Sequence, residues 1–362
     1  MGISLSSSPQ LNQENEDLRK VPQNIDGISC SFSEPDLFMF YTSDSFFEVR
    51  SLKDSLATRI LSMEPSCICS TSADSFIIGF KTGFISEFDY NLNLNTTFTF
   101  PGRSKAHNGE IIQVTSSNIC YMISIGTDKS MNFWNMKGLH ISTMTTTGQF
   151  TSVCSSSLFI WVADTNQRMY VIDSSNSSGK EPFKTSSSFN IPDIIVAMAP
   201  FGEGKGCIAS LKSGSVIIVS TRGVLSHLAF LNCPPIVSIC PLRIDYQTGL
   251  ISYLAVDSEG NLNLRVLEYV VKELGKCSSF FTLNENDVIT VIKGQITKFS
   301  REKLEKDSVR KLPEIELPRK KIVNFLNGYE EEDFIDEEEE EKGEEGGNEY
   351  DDISIEEEEL PF

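Results

Sequence analysis

A repeat constrains this chain more than any other feature. Between residues 25 and 300, seven segments share one pattern: a turn residue (Asp, Gly, Asn or Ser), alternating apolar positions, then an aromatic or aliphatic residue. They close at Val49, Phe88, Trp134, Ile172, Val219, Val266 and Phe299, spaced by 39, 46, 38, 47, 47 and 33 residues. A second apolar run precedes each, as in Leu37–Tyr41, Phe76–Phe80 and Cys120–Ser124. A third run often precedes that, as in Ile28–Phe32 and Ile111–Thr115. Period-two alternation punctuated by Ser, Asn, Gly and Asp specifies strands, so the chain is all-β.

A period near 40 with several strands per unit is that of a β-propeller blade. Seven copies predict seven blades over residues 20–300, between a flexible N-terminus (1–19) and a C-terminal region. The last unit lacks an outer strand. Leu18-Arg19-Lys20-Val21, directly before the first unit, is the expected source, and Val309–Ile315 is the alternative. Closure matters because an open edge invites pairing with other chains.

The third unit is the most informative. Ala106-His107-Asn108-Gly109, then Ser124, the turn Thr127-Asp128-Lys129, then Phe133-Trp134-Asn135 resembles a WD repeat. Ala106 and Asn135 depart from that family's Gly and final Asp. The resemblance implies that His107, Ser124, Asp128 and Trp134 form a buried hydrogen-bonded tetrad, a structural lock that satisfies polar groups away from water. The other six units lack the His and the Trp, although Asp44, Asp164 and Asp257 fall near the corresponding turns.

Charge divides the chain. Of 51 acidic and 31 basic residues, 19 acidic and one basic (Lys342) lie between Glu330 and Glu359. That stretch carries −18, and the remainder is nearly neutral at −2. A neutral body lacks the basic face that phosphate contacts require, so sequence-specific nucleic-acid binding is not expected. Residues 330–362 are expected to be a disordered acidic tail whose partners are basic proteins, such as ribosomal proteins or histones.

Residues 301–329 form a charged linker in which Arg301–Lys311 suits a short helix. The linker ends in an apolar island, Ile322–Tyr329. Phe325, Leu326, Gly328 and Tyr329, followed at once by acidic residues, form a candidate docking motif. The arrangement resembles the C-terminus of small nucleolar WD-repeat proteins of ribosome biogenesis, which implies a role in rRNA processing and a nuclear or nucleolar location. Ser354, set among acidic residues, is a candidate phosphorylation site.

Two alternatives accompany this reading. One is a substrate receptor of a cullin-type ubiquitin ligase, although Trp134-Asn135-Met136-Lys137 keeps only the Trp of the Trp-Asp-x-Arg ending. The other is a membrane-associated trafficking or signalling scaffold. Gly2 with Ser6 matches the myristoylation pattern, so Gly2 is a candidate lipidation site, and membrane association is expected only if it is modified.

Catalytic chemistry finds little support. The three histidines are His107, taken up by the tetrad, and His140 and His227, which have no ligand cluster nearby. Cys67 and Cys69 fall on one strand face without a second pair to complete a zinc site. Gly202-Glu203-Gly204-Lys205-Gly206 lacks the flanking residues of a phosphate loop and reads as a hairpin turn. No catalytic residue, cofactor or metal site is expected. Nine scattered cysteines and a polar N-terminus predict a reducing compartment and no secretion. The expected whole is a non-enzymatic scaffold, monomeric within a larger complex.

Overall fold

The computed structural model describes residues 25–310, except 32–36, 52–53, 72–73, 174–182, 202–203, 223–224, 230–233, 246–248, 278–281, 284–286 and 293–294. Within 225–229, 282–283 and 309–310 the backbone alone is described. Gly2, Leu18–Val21, the Phe325–Tyr329 motif, Ser354 and the acidic segment lie outside the described residues.

Consecutive antiparallel sheets make an all-β propeller. Six are complete four-stranded blades whose strands follow in chain order. Blade 1 runs from Gly27–Cys30 to Ser55–Ile60, blade 2 from Pro65–Ser70 to Leu94–Thr97, and blade 3 from Ile111–Ser116 to His140–Thr145. Blade 4 runs from Phe150–Ser155 to Thr185–Asn190, blade 5 from Ile195–Phe201 to Leu225–Ala229, and blade 6 from Ile236–Asp245 to Tyr269–Lys276. The seventh repeat lacks an outer strand of its own, as the sequence implied, and the segment expected to supply one, Leu18–Val21, lies outside the described residues. Among the described residues it forms a three-stranded sheet, Thr282–Leu283, Asp287–Ile292 and Gln295–Ser300. The chain then turns into the helix Arg301–Arg310 instead of a fourth strand. Val309 and Arg310 are helical, so the alternative closing strand does not begin at Val309.

The turn residue that opens each repeat has a physical cause. Ser45, Gly83, Lys129, Gln167, Gly214 and Gly260 all adopt positive φ just before a third strand. Each donates its N–H to the carbonyl three residues back, as in Lys129 to Gly126 and Gly214 to Leu211. A tight turn ending in one left-handed residue links two antiparallel strands with the right twist. Glycine meets that need without cost, whereas Ser45, Lys129 and Gln167 follow Asp or Asn. The segment 202–206 also lies within a hairpin, since Phe201 pairs with Gly206 across it.

Burial is greatest in the second and third strands and least in the fourth. The second and third strands are buried throughout in blade 3 (Met122–Gly126 and Ser130–Trp134), while its fourth alternates half-buried and exposed. Apolar clusters lie between blades. Met39, Phe47 and Val49 of blade 1 pack on Phe76 and Ile78 of blade 2. The ring closes in the same way. Ile28, Phe38 and Phe40 of blade 1 share a cluster with Ile289, Val291 and Ile296 of the last sheet. Leu304 of the helix inserts beside Leu242, Leu262 and Val288, covering the seam between blade 6 and that sheet. Burial of such side chains, at about 25 cal/mol per Å², dominates the favourable energy.

Polar ties add register. The Gln113 side chain in blade 3 clips the backbone of Val153 in blade 4, donating to its carbonyl (2.9 Å) and accepting from its N–H (3.0 Å). Val153 lies on the first strand of blade 4, an edge strand whose outer side has no strand partner. Glu87 of blade 2 is buried and accepts hydrogen bonds from Ser75 and from Tyr121 of blade 3.

Candidate functional site

The loop from blade 2 to blade 3 brings His107 onto blade 3. Two N–H groups, of Ala106 and His107, donate to the Gly83 carbonyl (3.1 Å each), anchoring the loop on blade 2. A side chain at Gly83 would run into the His107 carbonyl, so glycine there serves both the turn and this close approach. The second strand of blade 3 ends at Gly126 rather than the anticipated Ser124, and a Cβ at Gly126 would collide with the His107 ring.

The structure brings the four residues of the implied tetrad together. His107 Nδ1 lies 2.9 Å from Asp128 Oδ1, and His107 Nε2 lies 2.8 Å from Ser124 Oγ. Trp134 donates its indole N–H to Ser124 Oγ (2.9 Å). These contacts are matched when Nδ1 carries the proton and Nε2 accepts. Two further residues belong to the set. Ser130 donates to Asp128 Oδ1 (2.7 Å), and Asn132 donates to the Ala106 carbonyl (3.1 Å). Asn108 N–H donates to Asp128 Oδ2 (2.8 Å). Burial raises the Asp128 pKa, but the hydrogen bonds from His107, Ser130 and the Asn108 N–H outweigh it. They hold this carboxyl well below the usual range.

Asn135, which departs from the family's final Asp, closes the next turn. Its Oδ1 accepts the N–H groups of Lys137 (2.9 Å) and Leu139 (3.0 Å). The turn that Asp128 holds in blade 3, between the second and third strands, is held by other carboxylates elsewhere. Asp164 accepts from Asn166 and Arg168 N–H, and Asp257 from Glu259 and Asn261 N–H. In blade 5 the carboxylate comes from the preceding loop: Asp193 accepts the N–H of Ser213 (2.7 Å). Only its place one residue after Pro192 marks Asp193 in the sequence.

Beside the tetrad lies a cleft of about 290 Å³, lined by Arg103, Lys105 and Asn108 of the loop, Ser130 and Asn132, and Thr143 and Thr145 of the outer strand. Phe100 forms one wall, tilted against His140 with ring centroids 4.2 Å apart and edge-on to Trp134 at 5.4 Å. Burial lowers the His140 pKa, against a hydrogen bond to the Ser142 backbone carbonyl that raises it.

The remaining candidates are dispersed. Cys67 and Cys69 pack in an apolar cluster with Phe98 and Trp134. Burial pushes the Cys67 thiol up to about 12 and the Cys69 thiol higher, the reverse of what a reactive thiolate needs. His227 lies on the outer strand of blade 5. Among the described residues no three His, Cys, Asp or Glu side chains are grouped to hold a metal, and no helix is long and apolar enough to cross a membrane. No protein-family model matches the chain, and no curated protein matches it in sequence.

Proposed function

We propose that this protein is a non-enzymatic scaffold whose propeller presents faces and edges to other proteins, while its acidic segment binds a basic partner. The observation that carries the reading is the charge division: a nearly neutral ring joined to a stretch of −18. The propeller fold is compatible with a protein-interaction role, because seven sheets packed on one another through apolar clusters hold surface loops in fixed relation. Fold alone assigns no partner.

The finer reading is a nucleolar ribosome-assembly factor whose tail shields basic ribosomal or histone-like segments. Its support is the apolar island with Phe325, Leu326, Gly328 and Tyr329 placed directly before the acidic run. The test is affinity purification with mass spectrometry, comparing the full chain with one ending at Leu317. Loss of pre-ribosomal proteins with the tail is the expected result. Basic partners retained at physiological salt without residues 318–362 would end the shielding role. Ligase adaptors or vesicle proteins in both samples would move the function to the propeller faces.

A further inference from the structure

We infer that Glu87, on the third strand of blade 2, is the docking point for a lysine side chain of a partner protein, at the seam between blades 2 and 3. Its place in the repeat is anomalous. Four residues after the left-handed turn residue, five blades put a fully buried apolar side chain: Val49, Phe133, Val171, Ile218 and Leu264. Blade 2 puts a carboxylate there. Glu87 follows Gly83 by the same interval and is only 5% exposed. Taking a carboxylate out of water is costly unless a cation or several N–H groups replace the water.

The other buried carboxylates among the described residues meet that condition. Glu48 stands 3.6 Å from Arg50. Asp164 accepts two backbone N–H groups and the Tyr170 hydroxyl. Asp257 accepts two backbone N–H groups and the Asn261 side chain. Among the described residues Glu87 has neither a cation within ion-pair distance nor a backbone N–H. Only its Oε1 is engaged, accepting from the Ser75 and Tyr121 hydroxyls. The Thr71 hydroxyl lies 2.7 Å behind, on Ser75 Oγ. Burial and the bond to Glu87 push the Tyr121 phenol up, which keeps it a donor. Oε2 has no partner among the described residues and is not fully enclosed.

Ser75 and Tyr121 belong to turns that join first and second strands, so Glu87 sits toward the end of the ring opposite the Asp128 turn. Neither segment, 71–75 or 117–121, contains a lysine or arginine, and Asp74 adds a second acid to the first. The cation must therefore come from outside. One free carboxylate oxygen cannot take the two parallel bonds of a guanidinium, whereas an ammonium is a compact point charge. Its remaining N–H groups can donate to the hydroxyl oxygens of Ser75 and Tyr121. The long unbranched stem of lysine also suits a group this deeply set.

This contact belongs to the ring and does not rest on the acidic segment. The test is amide NMR on the full chain, labelled with 15N and deuterium, at physiological salt. The probe is the peptide acetyl-Gly-Gly-Lys-Gly-Gly-amide. Saturable shifts are expected at the amides of Ser75, Glu87 and Tyr121. Peptides carrying arginine or acetyl-lysine in place of the lysine should bind there at least about five-fold more weakly. Glu87→Gln keeps an oxygen for Ser75 and Tyr121 and should abolish these shifts, while the amides of Ile208 and Val219 in blade 5 stay in place. Tyr121→Phe, which leaves the carboxylate, should weaken binding without abolishing it, and it carries the test with the acetyl-lysine peptide if Glu87→Gln fails to fold. Shifts confined to residues 330–359, unchanged by Glu87→Gln or by Tyr121→Phe, or equal for lysine and acetyl-lysine would overturn the proposal.

Discussion

In blade 3 the turn between the second and third strands is held by Asp128, reached by a histidine from the preceding loop. In blade 4 the same turn is held by Asp164, which accepts from Asn166 N–H (2.9 Å), Arg168 N–H (3.2 Å) and Tyr170 O–H (3.1 Å), all from its own blade. A backbone tie to the preceding loop is common to both blades, Thr127 N–H to the Glu110 carbonyl (2.9 Å) and Thr165 N–H to the Gln149 carbonyl (2.8 Å), so the histidine is what blade 3 adds. Each blade also buries one tryptophan completely, Trp134 and Trp161. Trp134 donates to Ser124, whereas the indole N–H of Trp161 has no partner among the described residues. The two blades share backbone geometry, down to a left-handed residue at the turn (Lys129 and Gln167), yet differ in the side chains that hold it. Repetition in this fold conserves turn geometry and apolar faces, and the polar lock is an addition made once in full.

The largest effect should follow from emptying the lock. Trp134→Ala is expected to destabilise the protein by about 3–5 kcal/mol in denaturant unfolding, through a cavity and the lost hydrogen bond to Ser124. His107→Ala should cost about 2–4 kcal/mol, since Asp128 keeps only Ser130 and Asn108 for its charge. Hydrogen exchange should show the released loop at Ala106 and Asn108, while blade 4 stays protected. If exchange rose equally in both blades, the lock would be global and the contrast between them would fail.

Replacing each tryptophan by phenylalanine sharpens the comparison. Both substitutions remove similar volume, but only Trp134→Phe breaks a hydrogen bond. Trp161→Phe removes an unmatched buried donor, whose desolvation already costs free energy. Trp134→Phe is therefore expected to be the more destabilising by about 1–3 kcal/mol. Equal losses would mean that the indole of Trp161 finds a partner in solution, water included.

Legibility from the sequence follows the same division. The repeats were readable because one face of every strand must be apolar and every turn needs a left-handed residue; Gly83, Gly214 and Gly260 state that need directly. The tetrad was readable because His107, Ser124, Asp128 and Trp134 keep the family's spacing. Ser130 and Asn132 were missed, although two polar residues alternating inside Ser130-Met131-Asn132-Phe133-Trp134 signal a buried polar face. The cleft was not readable. It joins Arg103 and Lys105 of a connecting loop to Thr143 and Thr145 of an outer strand, and only the fold unites them. The short last sheet was anticipated in that no fourth strand follows Phe299 in sequence, but the helix seated on the blade 6 seam follows from Leu304 finding an apolar site there.

The smallest expected effect is in acid, and it also separates the blades. The Asp128 carboxyl is held below its ordinary value in the folded protein, against burial, by His107, Ser130 and Asn108. A carboxyl depressed by folding contributes its full stability above the unfolded value, about 4, and loses it as pH falls through the folded value. One such group changes stability by at most about 1.4 kcal/mol per pH unit, and by less where solvent screens it, as on the partly open side of Asp128. Asp128→Asn removes the titrating group and leaves a neutral side chain of the same shape. The variant should be less stable than the wild type at pH 7, and the gap should narrow below pH 4. Unfolding free energies measured from pH 7 to pH 3 test this directly. A gap that stays constant across that range would show that Asp128 titrates normally, and that the lock in blade 3 depends on shape and neutral hydrogen bonds rather than on the charge of its carboxylate.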